Sequence, residues 1–183
     1  GTVTTGVESE PNENDRQINS FDPFIGVSGR LDTADTDNFS FILPEAGYYD
    51  LDPGLTTSAR LMLFDEANRE IIDRSTLSPR LSQAFLPAGH YKLRLLRAAE
   101  ASDYKLQLVP SQEPEAGFEQ EPNDLLAYAM DLSDLQVRGN FPGRDLDIFR
   151  FYVDHPQYFR LQVVADKLYS ISIYDETGIR IYQ

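Results

Sequence analysis

The chain has 183 residues, with 30 acidic against 16 basic side chains for a formal net charge of −14, and no cysteine. That charge repels phosphate backbones and anionic lipid, which argues against nucleic acid as a partner and makes cations the natural counterions. Without cysteine there are no disulfides, thiolate nucleophiles or thiolate metal sites, while 41% hydrophobic and 11% aromatic residues suit a packed fold.

The chain opens "GTVTTG", without a Met or an apolar leader core, as an exported protein does after its signal peptide is removed and as a cloned fragment also would. No apolar run approaches the roughly 20 residues that span a bilayer, so membrane insertion is not expected. Residues 8–15, "ESEPNEND", place Glu8, Glu10 and Asn12 at i, i+2 and i+4, on one face if the segment is extended. Pro11 biases Glu10 towards that extended geometry. "GVSG" at 26–29 only partly echoes a nucleophile elbow and lacks its strand-to-helix context.

From residue 29 onward apolar residues alternate with polar ones: Phe39, Phe41 and Leu43, then Tyr91, Leu93 and Leu95, then Tyr104, Leu106 and Leu108. These read as half-buried strands, separated by turn signals such as "PEAG" at 44–47, "DPG" at 52–54, "DEAN" at 65–68 and "PAG" at 87–89. Asp35 and Asp37 precede the first long strand at the same two-residue spacing as the acids of the opening segment. "RLLRAAE" at 94–100 with Lys92 makes a local basic strip. The spacing predicts an antiparallel β-sandwich of seven or eight strands over residues 8–110.

Residues 111–118 are rich in Pro, Gly and acids and read as a linker. The opening signature then recurs as "EQEPNDLL" at 119–126, where Glu119, Glu121, Pro122 and Asn123 repeat Glu8, Glu10, Pro11 and Asn12. "DLLAYAMDLSDL" at 124–135 is the best candidate for a short turn of helix. "GNFPGRDLDIFRF" at 139–151 repeats "GRLDTADTDNFSF" at 29–41, setting Asp145 and Asp147 opposite Asp35 and Asp37. "ISIYDETGIRI" at 171–181 repeats "LMLFDEANREI" at 61–71. A period of this length is a whole domain, so a tandem duplication is expected, with a second unit over 119–183. Gln183 aligns with Asp73. The second unit is thus expected to be incomplete, because the chain continues, because a partner strand completes it, or because it is smaller; the first reading is preferred.

These features in order resemble the bacterial pre-peptidase C-terminal domain family. The likeness is strongest in "LPAGHYKLRLLRAAEASDYKLQLV" at 86–109, where Gly89, Tyr91 and Tyr104 stand at the turn and strand positions of the family. The resemblance implies all-β, jelly-roll-like sandwiches in tandem, non-catalytic, attached to exported bacterial proteins and located outside the cytoplasm, whether secreted, at the cell surface or periplasmic. It also implies calcium held by the acidic opening segment and by the Asp-rich loop, as in the collagen-binding modules of clostridial collagenases. Asn68 replaces the usual turn Gly, and the second unit lacks the Pro-Ala-Gly hairpin.

The residues point to calcium on chemical grounds as well, since it takes six to eight oxygens from carboxylates, amides, carbonyls and water. Glu8, Glu10, Asn12, Asp35 and Asp37 form the first expected set; Glu119, Glu121, Asn123, Asp124, Asp145 and Asp147 form the second. Turn chemistry alone explains an isolated Asp-x-Asp, but not its recurrence with the opening segment. No EF-hand loop is present, and His90 and His155 fall at non-equivalent positions, against a two-His zinc site. The adjacent aromatics Tyr48–Tyr49 and Tyr158–Phe159 offer one exposed ring each. The expected function is a calcium-binding accessory module that contacts an extracellular polymer, polysaccharide or protein; the alternative is a spacer that positions or completes a neighbouring domain.

Overall fold

Residues at every second position carry the core, as the alternation requires. In the computed structural model of the chain, which describes residues 6–132, 136–139, 145–165 and 170–183, Phe39, Phe41, Leu93, Leu95, Leu61 and Leu63 are all buried. The strands are β1 (Gly6–Val7), β2 (Asn19–Ser20), β3 (Val27–Leu31), β4 (Thr36–Leu43), β5 (Gly47–Leu51), β6 (Ser58–Phe64), β7 (Glu70–Leu77), β8 (Leu81–Leu86), β9 (Gly89–Leu96), β10 (Ser102–Leu106) and β11 (Val109–Pro110). A 3₁₀ turn at Leu126–Tyr128 follows, then β12 (Met130–Asp131), β13 (Phe149–Arg150), β14 (Ile173–Tyr174) and β15 (Arg180–Tyr182). The expected short helical turn is this 3₁₀ turn; residues 133–135 of that stretch lie outside the described residues.

The fold is an all-β sandwich. A five-stranded sheet runs in the order β2-β4-β9-β6-β7, and opposite it stand two three-stranded sheets, β1-β3-β10 and β11-β5-β8. Their inward faces share one hydrophobic cluster. Phe39 of β4 meets Tyr104 of β10 edge-on, with ring centroids 6.1 Å apart, and Phe41 stacks on Tyr91 of β9 at 5.4 Å. The turn from β6 to β7 closes on Asp65, whose Oδ1 accepts the Arg69 N–H (2.9 Å), and Asn68 takes the left-handed conformation there. Asn is among the non-Gly residues that tolerate this region, which accommodates the departure from Gly.

The chain divides into two compact units, Gly1–Phe151 and Tyr152–Gln183. The first unit therefore runs past the expected linker. Strand β11 continues onto β5, and the following acidic segment lies between the outer edges of the two layers. The Phe85 N–H of β8 donates to the Glu121 carbonyl (2.7 Å), and Arg74 of β7 reaches the Glu121 carboxylate. Leu125 and Tyr128 then pack on the core cluster, and the Tyr128 hydroxyl donates to Asp65 (3.2 Å). Two strand edges that would otherwise offer unpaired backbone groups are covered.

In the second unit β14 and β15 form a hairpin whose turn has the same bonds as the β6–β7 turn. Gly178 N–H donates to the Asp175 carbonyl (3.0 Å), as Asn68 N–H donates to that of Asp65 (2.9 Å). Tyr158 and Phe159, expected to place one ring inside, are both exposed.

Leu93→Ala should cost about 2–5 kcal/mol in urea denaturation, because its side chain is wholly enclosed by both layers. Ile42→Ala, on the outer face of the neighbouring strand, should stay within about 0.5 kcal/mol.

Candidate metal centres

Strand β1 lies parallel beside β3, pairing Val7 with Ser28, and the Glu8 N–H donates to the Ser28 carbonyl (2.9 Å). This register lays the Glu8 carboxylate over Gly29. A Cβ at Gly29 would stand 2.3–2.5 Å from its atoms, so the missing side chain is what gives the carboxylate its place. There Glu8 accepts the Arg30 N–H (2.7 Å) and the Tyr104 hydroxyl. Glu10 accepts the Asn12 N–H (3.0 Å), and the Asn12 carbonyl accepts the backbone and side-chain N–H of Asn38 (3.2 and 2.9 Å). Asn12 is thus anchored to β4 next to Asp37.

The result is a knot of carboxylates in which oxygens of Glu8, Glu10 and Asp37 lie within 4.8 Å of one another. Asp37 and Asn12 are both fully buried, and none of their side-chain polar atoms has a hydrogen-bond partner among the described residues. The Tyr104 hydroxyl, which donates to Glu8, lies close enough to Asp37 to pull its carboxyl down, but not enough to offset burial. Burial, reinforced by Glu8, Asp35 and Glu10, pushes the Asp37 carboxyl up to about 8. Burial and then Asp35 and Glu8 push Glu10 up as well. Burial raises the Tyr104 hydroxyl far above the ordinary range. Asp35 stands at the margin: its Oδ1 accepts the Thr36 N–H (2.8 Å), and it is not one of the three converging acids.

The second acidic segment makes the same bonds. Glu119 N–H donates to the Arg138 carbonyl (2.8 Å), Asn123 N–H to Glu121 Oε2 (3.1 Å), and Ile148 N–H to the Asn123 carbonyl (3.1 Å). A Cβ at Gly139 would stand 2.4–2.7 Å from the Glu119 carboxylate. The Glu10–Pro11 and Glu121–Pro122 peptides are both cis. Strand β12 pairs with β13 in parallel as β2 pairs with β4. Here the acids form two overlapping groups, Glu119, Glu121 and Asp147, and Glu121, Asp124 and Asp145. Asn123 is fully buried, with neither side-chain atom partnered among the described residues.

One feature is particular to this second cluster. Arg74, 4% exposed, contacts Glu121 (2.5 Å), Asp145 (2.6 Å) and Asp124 (3.4 Å). A single guanidinium does not offset five carboxylates. Burial and mutual repulsion outweigh it, raising Asp124 to about 6, Asp147 to about 7 and Asp145 to about 8.

All the expected ligand residues are described, and all except Asp35 are brought into the two clusters. Arg74, Gly29 and Gly139 were not singled out from sequence. Two buried amides and several buried carboxylate oxygens without donors among the described residues cost several kcal/mol unless something pairs them. Oxygens of the kind a hard divalent cation takes are present in both places, those of Glu8, Glu10, Asp37 and Asn12 in the first.

No protein-family model and no curated protein matches the chain. Among solved structures it is similar to the pre-peptidase C-terminal domain of collagenase from Bacillus anthracis, at 16% sequence identity and a TM-score of 0.41, over 56% of this chain and 100% of that one.

Protein stripped of divalent cations should lose stability as pH rises from about 4 to about 8. Carboxyls whose folded values exceed the unfolded one of about 3.9 stabilise the fold below that value, and the contribution is gone above the folded value. Urea midpoints at pH 5 and pH 8 measure the loss, and Asp37→Asn should flatten it. Gly29→Ala should displace the Glu8 carboxylate and cost about 1–3 kcal/mol in the same assay, by stranding the buried Tyr104 hydroxyl that donates to it.

Proposed function

We propose that the chain is a non-catalytic, calcium-binding accessory module of an exported bacterial protein, in which the ion fixes each acidic segment against the end of a β-sandwich. The observation that carries this reading is the pair of enclosed, unpartnered side chains Asn12 and Asp37 facing Glu8 and Glu10, echoed by Asn123 and Asp147 facing Glu121. We further take the second half of the chain as an incomplete second copy of the first, supported by the shared hydrogen bonds of the acidic segments and of the two Asp turns. The resemblance of the sequence to the pre-peptidase C-terminal family supports a place outside the cytoplasm.

The role this geometry favours best is that of a rigid spacer, because residues 119–128 are pinned onto the first sandwich by Arg74, the Glu121 carbonyl and Tyr128. Binding of an extracellular polymer, polysaccharide or protein, is the second reading. A shallow depression lined by Ser40, Ile42, His90 and Lys92, with the edges of Phe21 and Tyr91, favours it by offering apolar and hydrogen-bonding groups together.

Calcium at a hundredfold excess over its Kd should stabilise the protein by about 2.7 kcal/mol per site, seen as a rise in Tm against chelator. Asp37→Asn should have two opposite effects: higher stability in chelator, since a buried unpaired carboxylate is gone, and loss of the calcium response of the first cluster. An unchanged Tm of the wild-type protein across chelator and millimolar calcium would falsify the calcium reading.

A further inference from the structure

The two acidic clusters share a backbone arrangement but differ in charge. The first gathers Glu8, Glu10 and Asp37 with Asp35 at its margin, and Arg30 touches it through its backbone N–H while its guanidinium turns to Asp32 and Asp103. The second has five carboxylates, and a buried guanidinium from another strand enters it. Arg74 belongs to β7 and pairs with Leu61 of β6, so it occupies an inward position of the five-stranded sheet, where an apolar residue would ordinarily stand.

Glu121 divides the second cluster. Its Oε1 meets Arg74 and its Oε2 accepts the Asn123 N–H, and it belongs both to the Arg74 group and to the group of Glu119 and Asp147. Asp145 likewise gives Oδ1 to Arg74, and its Oδ2 has no partner among the described residues. On the far side, the enclosed Asn123 amide and Asp147 Oδ1 also have none. One half of the cluster is therefore in direct contact with the Arg74 guanidinium, and the other half presents Asn123 Oδ1 and Asp147 Oδ1 with no hydrogen-bond partner among the described residues.

We propose that Arg74 is the resident cation of the Glu121, Asp124 and Asp145 half, so that the second cluster takes one divalent cation at Glu119, Glu121, Asn123 and Asp147, and takes it more weakly than the first cluster takes its own. This rests on the calcium reading above. The guanidinium acts on an incoming ion in two ways: like charges repel across a few ångströms of poorly solvated space, and Arg74 ties up an oxygen of Glu121 that the ion would share. Asp124, which is a ligand of Arg74 and has the exposed Glu13 as its counterpart in the first segment, is then explained as part of the arginine's site rather than the metal's.

Calorimetric titration of the full chain with calcium chloride tests this, with Asp37→Asn silencing the first cluster and Asp147→Asn the second. The wild type should show a tight and a weak site, and Asp37→Asn should leave the weak one. Adding Arg74→Gln to Asp37→Asn should tighten that site at least about tenfold or add a second calcium, whereas Arg74→Lys, which keeps the charge, should not. Because Arg74→Gln alone strands buried acids, Arg74→Gln with Asp124→Asn, which removes the charges as a pair, serves as the variant least disturbed in folding and should tighten the site equally. Second-cluster affinity and stoichiometry unchanged in both would overturn the role of Arg74 while leaving calcium binding intact. A wild type that binds no calcium at either cluster would overturn the calcium reading itself.

Discussion

What is distinctive about this chain depends on carboxylates drawn together around Asp37, which water cannot reach. Two strand-like residues, Gly6 and Val7, pair with β3, and the next side chain, Glu8, is delivered onto Gly29. From that point the alternation of an extended segment sends Glu10 to the same side, while the Asn12 carbonyl clasps Asn38 and so brings Asn12 beside Asp37. An unpaired buried carboxylate is tolerated only if it is neutralised by a proton or paired with a cation. The raised value of Asp37 expresses the first alternative, and the convergence of Glu8, Glu10 and Asp37 prepares the second.

The same segment serves two ends of the architecture. Residues 6–12 lie against β3 and β4 of the first sandwich. Residues 119–128 span the gap between β7 and β8, the outer strands of the two layers. Sheets leave such edges open unless something covers them, and here the cover is an acidic strip rather than an apolar one. Arg74 makes that possible. Without a buried positive charge, Glu121 and Asp124 would meet the end of an apolar core with no partner. With it, the strip is held by charge-assisted bonds at one end and by Leu125 and Tyr128 on the core at the other.

Much of this was legible in the residues. Period-two alternation located β4, β9 and β10, and the turn signals placed the loops between them, because half-buried strands must alternate. The spacing of the acids at 8–12 and 35–37 said which residues share a face; that Glu8, Glu10 and Asp37 converge and Asp35, its carboxylate occupied by the N–H of Thr36, does not is set by the pairing of β1 with β3. Arg74 was not legible as a site residue: an arginine at an inward strand position signals a buried partner, but the nearest in sequence of the acids it meets, Glu121, lies 47 residues on, beyond any local pattern. Gly29 and Gly139 were equally silent, since a glycine that makes room for a carboxylate looks like any turn glycine until the opposing strand is in place. Composition gave no sign that Leu125 and Tyr128, beyond the segment at 111–118, pack on the core of the first compact unit, which extends through Phe151.

The placement of the second cluster has an energetic consequence that the first does not share. Glu121 carries three contacts at once: its carbonyl accepts the Phe85 N–H of β8, one carboxylate oxygen receives Arg74 of β7, and the other accepts the Asn123 N–H. Any ligand bound by the folded arrangement and not by the open one stabilises it by mass action. An ion at Glu119, Glu121 and Asp147 would therefore strengthen the same residue that joins the two layers, and occupancy there would be felt at the sandwich edge. The first cluster, attached to β3 and β4 within already paired sheets, would respond with a local tightening of residues 8–12. Identical backbone bonds in two segments thus have different reach, and the difference lies in which strands each segment touches.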